Sequence, residues 1–485
     1  MSLDERLAAI AAAPDGPQVG AFFDYDGTVI SGYSAQAFYR HRMLGLDIGP
    51  IELARTLLMS AQGIESPEDF AAFLELSLGA WKGRPIEEIE ELGNSLFKHD
   101  IASRLHPEAW ALVRAHQAKG HTVALASSAT RFQVEPMARE LEVEHVLCTP
   151  VEVIDGIVTG RTSGPPLWAG GKARAVLELA ETESIDLDAS FAYSNGGEDI
   201  EFLDTVAHPV AVAPHKLLRA EAERRGWPIL ECVSRGGTPG IKEVARTAGF
   251  YGAFAAAFGA GVGLSLLNRR RDTLLEITGG VGADVGLALA GIDVKVVRGH
   301  EHLWSARPCV FVFNHQSKLD PILVMKLLRG GFTGVAKKEA KNVPGFGQLF
   351  QLAGVAFVDR GNTEQAKQAM APAVEKVRSG MSLVIAPEGT RSATPRLGRF
   401  KKGPFHIAMQ AEVPMVPIVI RNAGEVMWRG AQTLRPGTVE VTVLPPVDTS
   451  SWTVETITDH VDDVRGMFLD TLADWPTGPR LELHA

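Results

Sequence analysis

Cysteine is scarce in this sequence. Three residues, Cys148, Cys232 and Cys309, are spread over 485 positions with no CxxC pair among them. That excludes a disulfide scaffold and a zinc knuckle and suits a reducing compartment. An excess of positive charge is missing too: 48 Lys and Arg stand against 58 Asp and Glu, a formal net charge of -10. A surface that tracks nucleic-acid phosphates needs the opposite balance, so no nucleic-acid partner is expected. The segment from Met1 to Gly16 carries acids where a secretory signal carries bases, which makes an intracellular protein the expectation. Internal repeats and low-complexity tracts are absent. What remains is ordinary globular usage, 45% hydrophobic and 22% charged, over a length that predicts two to four domains at roughly 100–200 residues each.

One segment departs from that pattern. Thr247 to Leu267 contains no charged residue and is followed at once by Asn268-Arg269-Arg270-Arg271. A run of that length can cross a bilayer of about 30 Å as a helix. A second apolar stretch, Leu274 to Ile292, is interrupted by Glu276 and Asp284, and an Asp at the bilayer centre costs on the order of 2.5–3.5 kcal/mol. Gly252, Gly259, Gly261 and Gly263 suit close helix–helix approach. A buried helical hairpin in a soluble core is the competing reading. The expectation is a membrane-contacting helical hairpin over residues 241–292, embedded in the cytoplasmic leaflet with Arg269, Arg270 and Arg271 at the head groups.

Either side of this hairpin the chain reads as α/β. Residues 234–240, small and turn-forming, mark a linker. Before it, short apolar runs end in polar residues at Val19 to Asp24, His121 to Ser128 and Ser190 to Ser194, as buried parallel strands do when they deliver side chains to a loop. Residues 33–106 read as helical, a candidate cap. After the hairpin, Pro308 to Phe313 ends at Asn314-His315, and Leu383 to Ala386 ends at Pro387-Glu388-Gly389. Val413 to Ile420 carries two prolines, which confine it to an edge or place them at strand ends. In open α/β sheets ligands bind beyond the carboxyl ends of the strands.

In Asn314-His315-Gln316-Ser317-Lys318-Leu319-Asp320-Pro321, a continuous helix would set His315 and Asp320 about 140° apart. They meet only if the chain turns, and Pro321 makes Asp320 a natural helix N-cap. An Asp that fixes a His tautomer leaves the other ring nitrogen free as a general base. From Glu388 to Lys402 five bases (Arg391, Arg396, Arg399, Lys401, Lys402) accompany one acid, a local anion-attracting cluster on an acidic chain.

These residues resemble the glycerolipid acyltransferases, the 1-acyl-sn-glycerol-3-phosphate acyltransferase (PlsC) family. The NHxxxxD block, Gly354-Val355-Ala356-Phe357-Val358-Asp359-Arg360, Pro387-Glu388-Gly389-Thr390-Arg391-Ser392 and the proline-bearing run follow in the family's order over about 110 residues. The resemblance implies acyl-CoA as co-substrate, lysophosphatidic acid as acceptor, His315 as base and Asp320 as its orienter. It also implies that Arg360, Glu388, Gly389, Thr390 and Arg391 hold the acceptor, with Lys337 contacting phosphate.

Asp24-Tyr25-Asp26-Gly27-Thr28 resembles the DxDGT loop of the haloacid dehalogenase (HAD) superfamily. There the first carboxylate attacks phosphorus and the second protonates the leaving oxygen. Ser128 corresponds to the phosphate-binding hydroxyl, Lys172 to the stabilising cation, and the helical segment to the cap of the phosphoserine-phosphatase-like branch. The resemblance implies Mg²⁺ held by Asp24, Asp26, residue 195 and Asp199. Asn195 stands where the family has Asp, which weakens a site for a hard cation; Glu198 is a candidate to compensate.

The fold class expected is thus α/β: a HAD-like Rossmannoid domain at 1–233 with its helical cap, the hairpin, and an acyltransferase αβ domain at 293–485, on the cytoplasmic face of the cell membrane. The fusion resembles the HAD–acyltransferase proteins of actinobacteria. The alternatives are a membrane-tethered Mg-dependent phosphomonoesterase whose second half binds lipid, or acylation of another lipid acceptor.

Overall fold

The computed structural model describes residues 2–45, 47–49, 66–232, 239–337, 341–342, 347, 351, 355–358 and 370–476. The chain divides into two compact units, Met1–Gly237 and Thr238–Ala485. Residues 46 and 50–65 of the expected cap, residue 233, and 234–238 of the expected linker lie outside the described residues.

The first unit is built on strands β1 (Val19–Asp24), β2 (Thr122–Thr130), β3 (His145–Thr149), β6 (Asp186–Ser194), β7 (His208–Val212) and β8 (Ile229–Leu230). Every pairing is parallel, in the order β3-β2-β1-β6-β7-β8. Parallel neighbours need helical crossovers, which cover both faces of the sheet. That is why β1 is buried at all of its positions. Between β1 and β2 come helices α1 (Ala35–Leu44), α2 (Pro67–Gly79) and α3 (Ile86–His99). The α2 start follows from its sequence, with Ser66 and Asp69 forming a reciprocal capping box and Pro67 in the first turn.

A hairpin of β4 (Val151–Ile154) and β5 (Ile157–Thr162) was not foreseen. Its turn, Asp155-Gly156, has positive φ at both residues, the Asp-Gly signal of a two-residue hairpin between apolar runs. It grips the cap between α2 and α3, where Gly83 N–H donates to Val158 O and Val158 N–H to Arg84 O.

The second unit carries β9 (Ile292–Arg298), β10 (Val310–Phe313), β11 (Phe332–Lys337), β12 (Ala356–Val358), β13 (Ser382–Ile385), β14 (Met415–Ile420) and β15 (Gly437–Val443), in the order β12-β11-β13-β10-β14-β15-β9. Here the edge alternative fails, since β14 lies between β10, parallel, and β15, antiparallel, while Pro414 sits just before the first residue of the strand. Pro417 is tolerated because its nitrogen belongs to the β15 side, where the register begins only at Ile418 opposite Val443. Beyond it Leu444 N–H donates to the Pro417 carbonyl, so no ladder bond calls on the missing donor.

The hairpin forms as α5 (Ile241–Asn268), a reversal at Arg269 with φ 56°, and a returning helix that passes through a π turn at Ile277–Val281 into α6 (Gly282–Ala290). Close approach is made by Gly261 against Leu274 and by Gly282 and Gly286 against Phe254 and Phe250. Gly252, Gly259 and Gly263 face open space, contrary to expectation. By length and composition α5 is able to cross a membrane. Its far end exposes Leu264, Leu266 and Leu267, whereas Phe250 and Phe254 share a core with Leu287 and, from the sheet and helix α7 (Asp320–Leu328), Phe311 and Ile322. Asp284 is tied to Lys326 Nζ at 2.6 Å and to Arg329. The returning arm is therefore docked on α7 through the acid expected to resist burial in lipid.

Candidate active sites

In the second unit the carboxyl ends of β13, β10 and β14 are adjacent, and each delivers a loop. Asn314, one residue past β10, uses its side-chain amide as an extra rung: Nδ2 donates to Ile420 O and Oδ1 accepts from Ile420 N–H, both at 2.7 Å. His315 follows. Its Nδ1 lies 2.7 Å from Asp320 Oδ2, which also accepts the backbone N–H groups of Gln316 and Ser317 at 2.7 and 2.8 Å. The turn inferred from Pro321 is present, although the helix N-cap is Leu319 and Asp320 opens the first turn. Three donors converge on one oxygen of a fully buried carboxylate, which holds the imidazole oriented. His315 is partly exposed, and Nε2 has no partner among the described residues.

Glu388 braces this loop. Its Oε1 accepts His315 N–H at 2.6 Å, and its Oε2 accepts Ser392 Oγ–H and Gly398 N–H at 2.9 and 2.8 Å. Burial raises its pKa against those hydrogen bonds. Ser392 N–H donates back to His315 O, and Ser317 Oγ–H to Met427 O. Gly389 has φ 73°, and a Cβ there would lie 2.9 Å from Lys401 Cε, so the loop requires glycine.

Around His315 stand three cations. Burial lowers the Arg391 pKa, and Arg429 lowers it further while Asp320 opposes. Burial, then Arg391, does the same to Lys318. Arg429 Nη1 donates to Arg391 O at 3.2 Å. Among the described residues none of the three has a carboxylate within ion-pair distance, and Arg391 Nη1 is buried without a hydrogen-bond partner. Mutually repelling cations held together without acids make a receptor for an anion such as a phosphate.

In the first unit Asp24 ends β1, flanked by the ends of β2 and β6. Lys172, near the start of α4 (Gly170–Glu183), bridges Asp24 Oδ1 and Asp199 Oδ2 at 2.5 and 2.7 Å. Burial opposes the Lys172 charge, but Asp199 and Asp24 outweigh it and raise its pKa. Burial raises the Asp24 pKa against the pull of Lys172. Thr28 Oγ–H donates to Asp24 Oδ2 at 2.9 Å and lies 3.2 Å from Asn195 Oδ1. Asp26 is held by Ser34 N–H and Oγ–H at 2.6 and 3.1 Å, and burial raises its pKa to about 6. Gly27, φ 86°, lies so close to Asn195 Nδ2 that no side chain fits. Ser127 is buried with its hydroxyl turned to Ala129 N–H, whereas Ser128 is partly exposed with no side-chain bond among the described residues.

Asp199 Oδ1 is buried without a donor. Together with Asp24 and the Asn195 amide oxygen it makes an oxygen donor set that fits a hard divalent cation. Each oxygen of the Asp26 carboxylate accepts one hydrogen bond from Ser34. Glu198 is exposed.

A family model described as Acyltransferase matches residues 295–421, and one described as haloacid dehalogenase-like hydrolase matches residues 21–204. A 1-acyl-sn-glycerol-3-phosphate acyltransferase from Saccharomyces cerevisiae is 33% identical over 236 residues, 48% of this chain and 75% of that protein. The chain belongs to the 1-acyl-sn-glycerol-3-phosphate acyltransferase family. A family member from Limnanthes douglasii is 38% identical over 183 residues, 38% of this chain; the match spans 64% of that protein, just under two thirds of its length. The structure of the 1-acyl-sn-glycerophosphate (LPA) acyltransferase, PlsC, from Thermotoga maritima aligns at 26% identity and TM-score 0.41, over 48% of this chain and 96% of that one.

Of the acyltransferase residues expected from sequence, His315, Asp320, Glu388, Gly389 and Arg391 come together, and Thr390 is exposed beside them. Arg360, with Gly354 and Asp359 of its block, lies outside the described residues, as does the side chain of Lys337, the last residue of β11. Both Glu388 oxygens accept from the chain's own donors, which braces the His315 and Gly398 loops. Lys318 and Arg429 were missed. Lys318 sits inside the NHxxxxD block as a base beside the candidate catalytic pair, which is a readable signal. Arg429 arrives from beyond β14, where only the fold brings it near.

Proposed function

We propose that the second unit transfers a fatty acyl chain from acyl-CoA to the free sn-2 hydroxyl of lysophosphatidic acid, giving phosphatidic acid. The observation that carries this reading is the His315–Asp320 pair, with Nε2 open beside Lys318, Arg391 and Arg429. Nε2 takes the proton of the acceptor hydroxyl as its oxygen bonds to the thioester carbon. The C–S bond then breaks, and the imidazolium returns the proton to the departing thiolate. Asp320 steadies the imidazolium at Nδ1. The basic trio anchors the phosphate of the acceptor. The test is product formation by the purified chain with acyl-CoA and a panel of lysophospholipids alongside monoacylglycerol. Phosphatidic acid should dominate, and equal use of monoacylglycerol would remove the phosphate anchor from the reading.

That anchor makes a separate prediction. A hydrogen bond to a charged group is worth about 1.5–3 kcal/mol, so Arg391→Ala should raise the KM for lysophosphatidic acid by roughly 10–100-fold. The KM for acyl-CoA should change far less. Initial rates with each substrate varied in turn separate the two. We also place the exposed apolar end of α5 in lipid on the cytoplasmic side, where the acceptor resides, on the strength of Leu264, Leu266 and Leu267.

The first unit is proposed as a phosphomonoesterase of restricted activity. Asp24 attacks phosphorus as the bond to the leaving oxygen breaks, and Asp26, its pKa near 6, donates a proton to that oxygen. Water then displaces phosphate from Asp24, giving its proton to Asp26. Lys172 balances the Asp24 charge, and Ser128 is the donor to a phosphoryl oxygen. Mg²⁺, held by Asp24, Asn195 and Asp199, supplies charge neutralisation of the phosphate when bound. The neutral Asn195 limits that site. Asn195→Asp should therefore raise phosphatase turnover at low Mg²⁺. In metal-free protein it should lower the melting temperature, because a further carboxylate joins Asp24 and Asp199 around one ammonium. Efficient hydrolysis by the unaltered chain at micromolar Mg²⁺ would overturn the limitation assigned to Asn195.

A further inference from the structure

We infer that His106, Glu108 and Cys232 form a binding site for a divalent ion of the zinc class, separate from the Asp24 centre. One ligand atom from each, an imidazole nitrogen, a carboxylate oxygen and a thiolate sulfur, lies within 4.8 Å of the other two. Ligands in a tetrahedral zinc shell are roughly 3.3–3.6 Å apart, given bonds of about 2.0–2.3 Å, so small rotations close the shell. His106 and Glu108 are 3% and 1% exposed, and Cys232 is partly buried. A mixed N, O and S set selects a borderline ion over Mg²⁺ or Ca²⁺, which take oxygen. Three protein ligands leave a fourth position for water.

The placement suits a brace. His106 closes the segment returning from the cap, with its N–H on Val29 O just past the Asp24 loop. Glu108 is in the first turn of the helix Pro107–Ala118. Cys232 follows β8, at the end of the first unit's sheet. A divalent ion bound there is shared by the three ligands, and the thiol proton leaves to solvent on binding.

Co²⁺ titration of the full chain after chelator treatment tests this. The Asp24 centre offers no sulfur, so only the proposed site can give thiolate-to-cobalt absorption in the near ultraviolet. One equivalent should produce that band, Zn²⁺ should bleach it, and Cys148→Ser should retain it. Cys232→Ser should lose it while keeping the wild-type circular dichroism spectrum. In unaltered protein, Zn²⁺ should also protect Cys232 from maleimide labelling, read by mass spectrometry. Absence of the band, its persistence in Cys232→Ser, or unprotected labelling at saturating Zn²⁺ would each overturn the site.

Discussion

His315→Ala should lower acyl transfer by about 10²–10⁴-fold, the usual contribution of a positioned general base, with little change in folding. The substitution removes the group that presents a free ring nitrogen beside the basic trio. It leaves Asp320 with two backbone N–H donors on Oδ2, so the buried carboxylate keeps two of its three donors and the turn into α7 survives. The backbone N–H of residue 315 still reaches Glu388. A fall in kcat with an intact thermal transition is therefore the expected signature. Wild-type acyl transfer by this variant would remove His315 from the chemistry. Asp320→Asn should be gentler on binding but also slow, because an amide cannot balance an imidazolium as a carboxylate does.

Asp24→Asn should abolish phosphate release by the first unit and leave acyl transfer near the wild-type rate. The nucleophile is lost outright, whereas none of the residues assigned to acyl transfer lies in the first unit. Stability should respond in the opposite sense from activity. Burial holds the Asp24 pKa above its ordinary value, so the folded protein gives up this proton less readily than the unfolded chain does. Stability then falls as pH rises from the ordinary carboxylate range toward the raised pKa. Asn carries no such cost, and Lys172 retains Asp199 at 2.7 Å. Thermal melts at pH 5 and pH 7.5 should show a smaller decline with pH for the variant. A steeper decline would mean that the Lys172 pairing outweighs the burial of Asp24. Loss of acyl transfer in Asp24→Asn would mean that the two units are coupled.

Three central strands of each sheet were legible in the sequence, because a strand buried on both faces reads as an uninterrupted apolar run. Where such a run ends in Asp24, Ser128, Asn314-His315 or Pro387-Glu388, the polar residue marks the loop that carries chemistry. The hidden parts are those decided by partners distant in the chain. Pro417 reads as an edge signal, yet its nitrogen falls outside the β15 register. Glu388 reads as an acceptor ligand, and its bracing bonds to backbone donors and a serine appear only once the loops fold. Four glycines read as a helix contact, but the pitch of α5 turns Gly252, Gly259 and Gly263 away, and the contact uses Gly282 and Gly286 on the returning arm. The Asp155-Gly156 hairpin could have been read, since its turn residues and flanking apolar pairs are local.

The core shared by the hairpin and the sheet sets where this protein can be cut. The matched acyltransferase model begins at residue 295, but the apolar interior begins nearly fifty residues earlier, with Phe250 and Phe254 seated among Leu287, Phe311 and Ile322. A chain trimmed to residues 295–421 would keep His315 and Asp320 but lose Arg429 and one wall of the structure holding them. The segment that looks like a detachable anchor is thus a structural wall of the enzyme. Domain transplantation or solubilisation would have to carry residues 241–292 along, and engineering toward a freely soluble form would do better to replace Leu264, Leu266 and Leu267 at the exposed tip than to remove the helix.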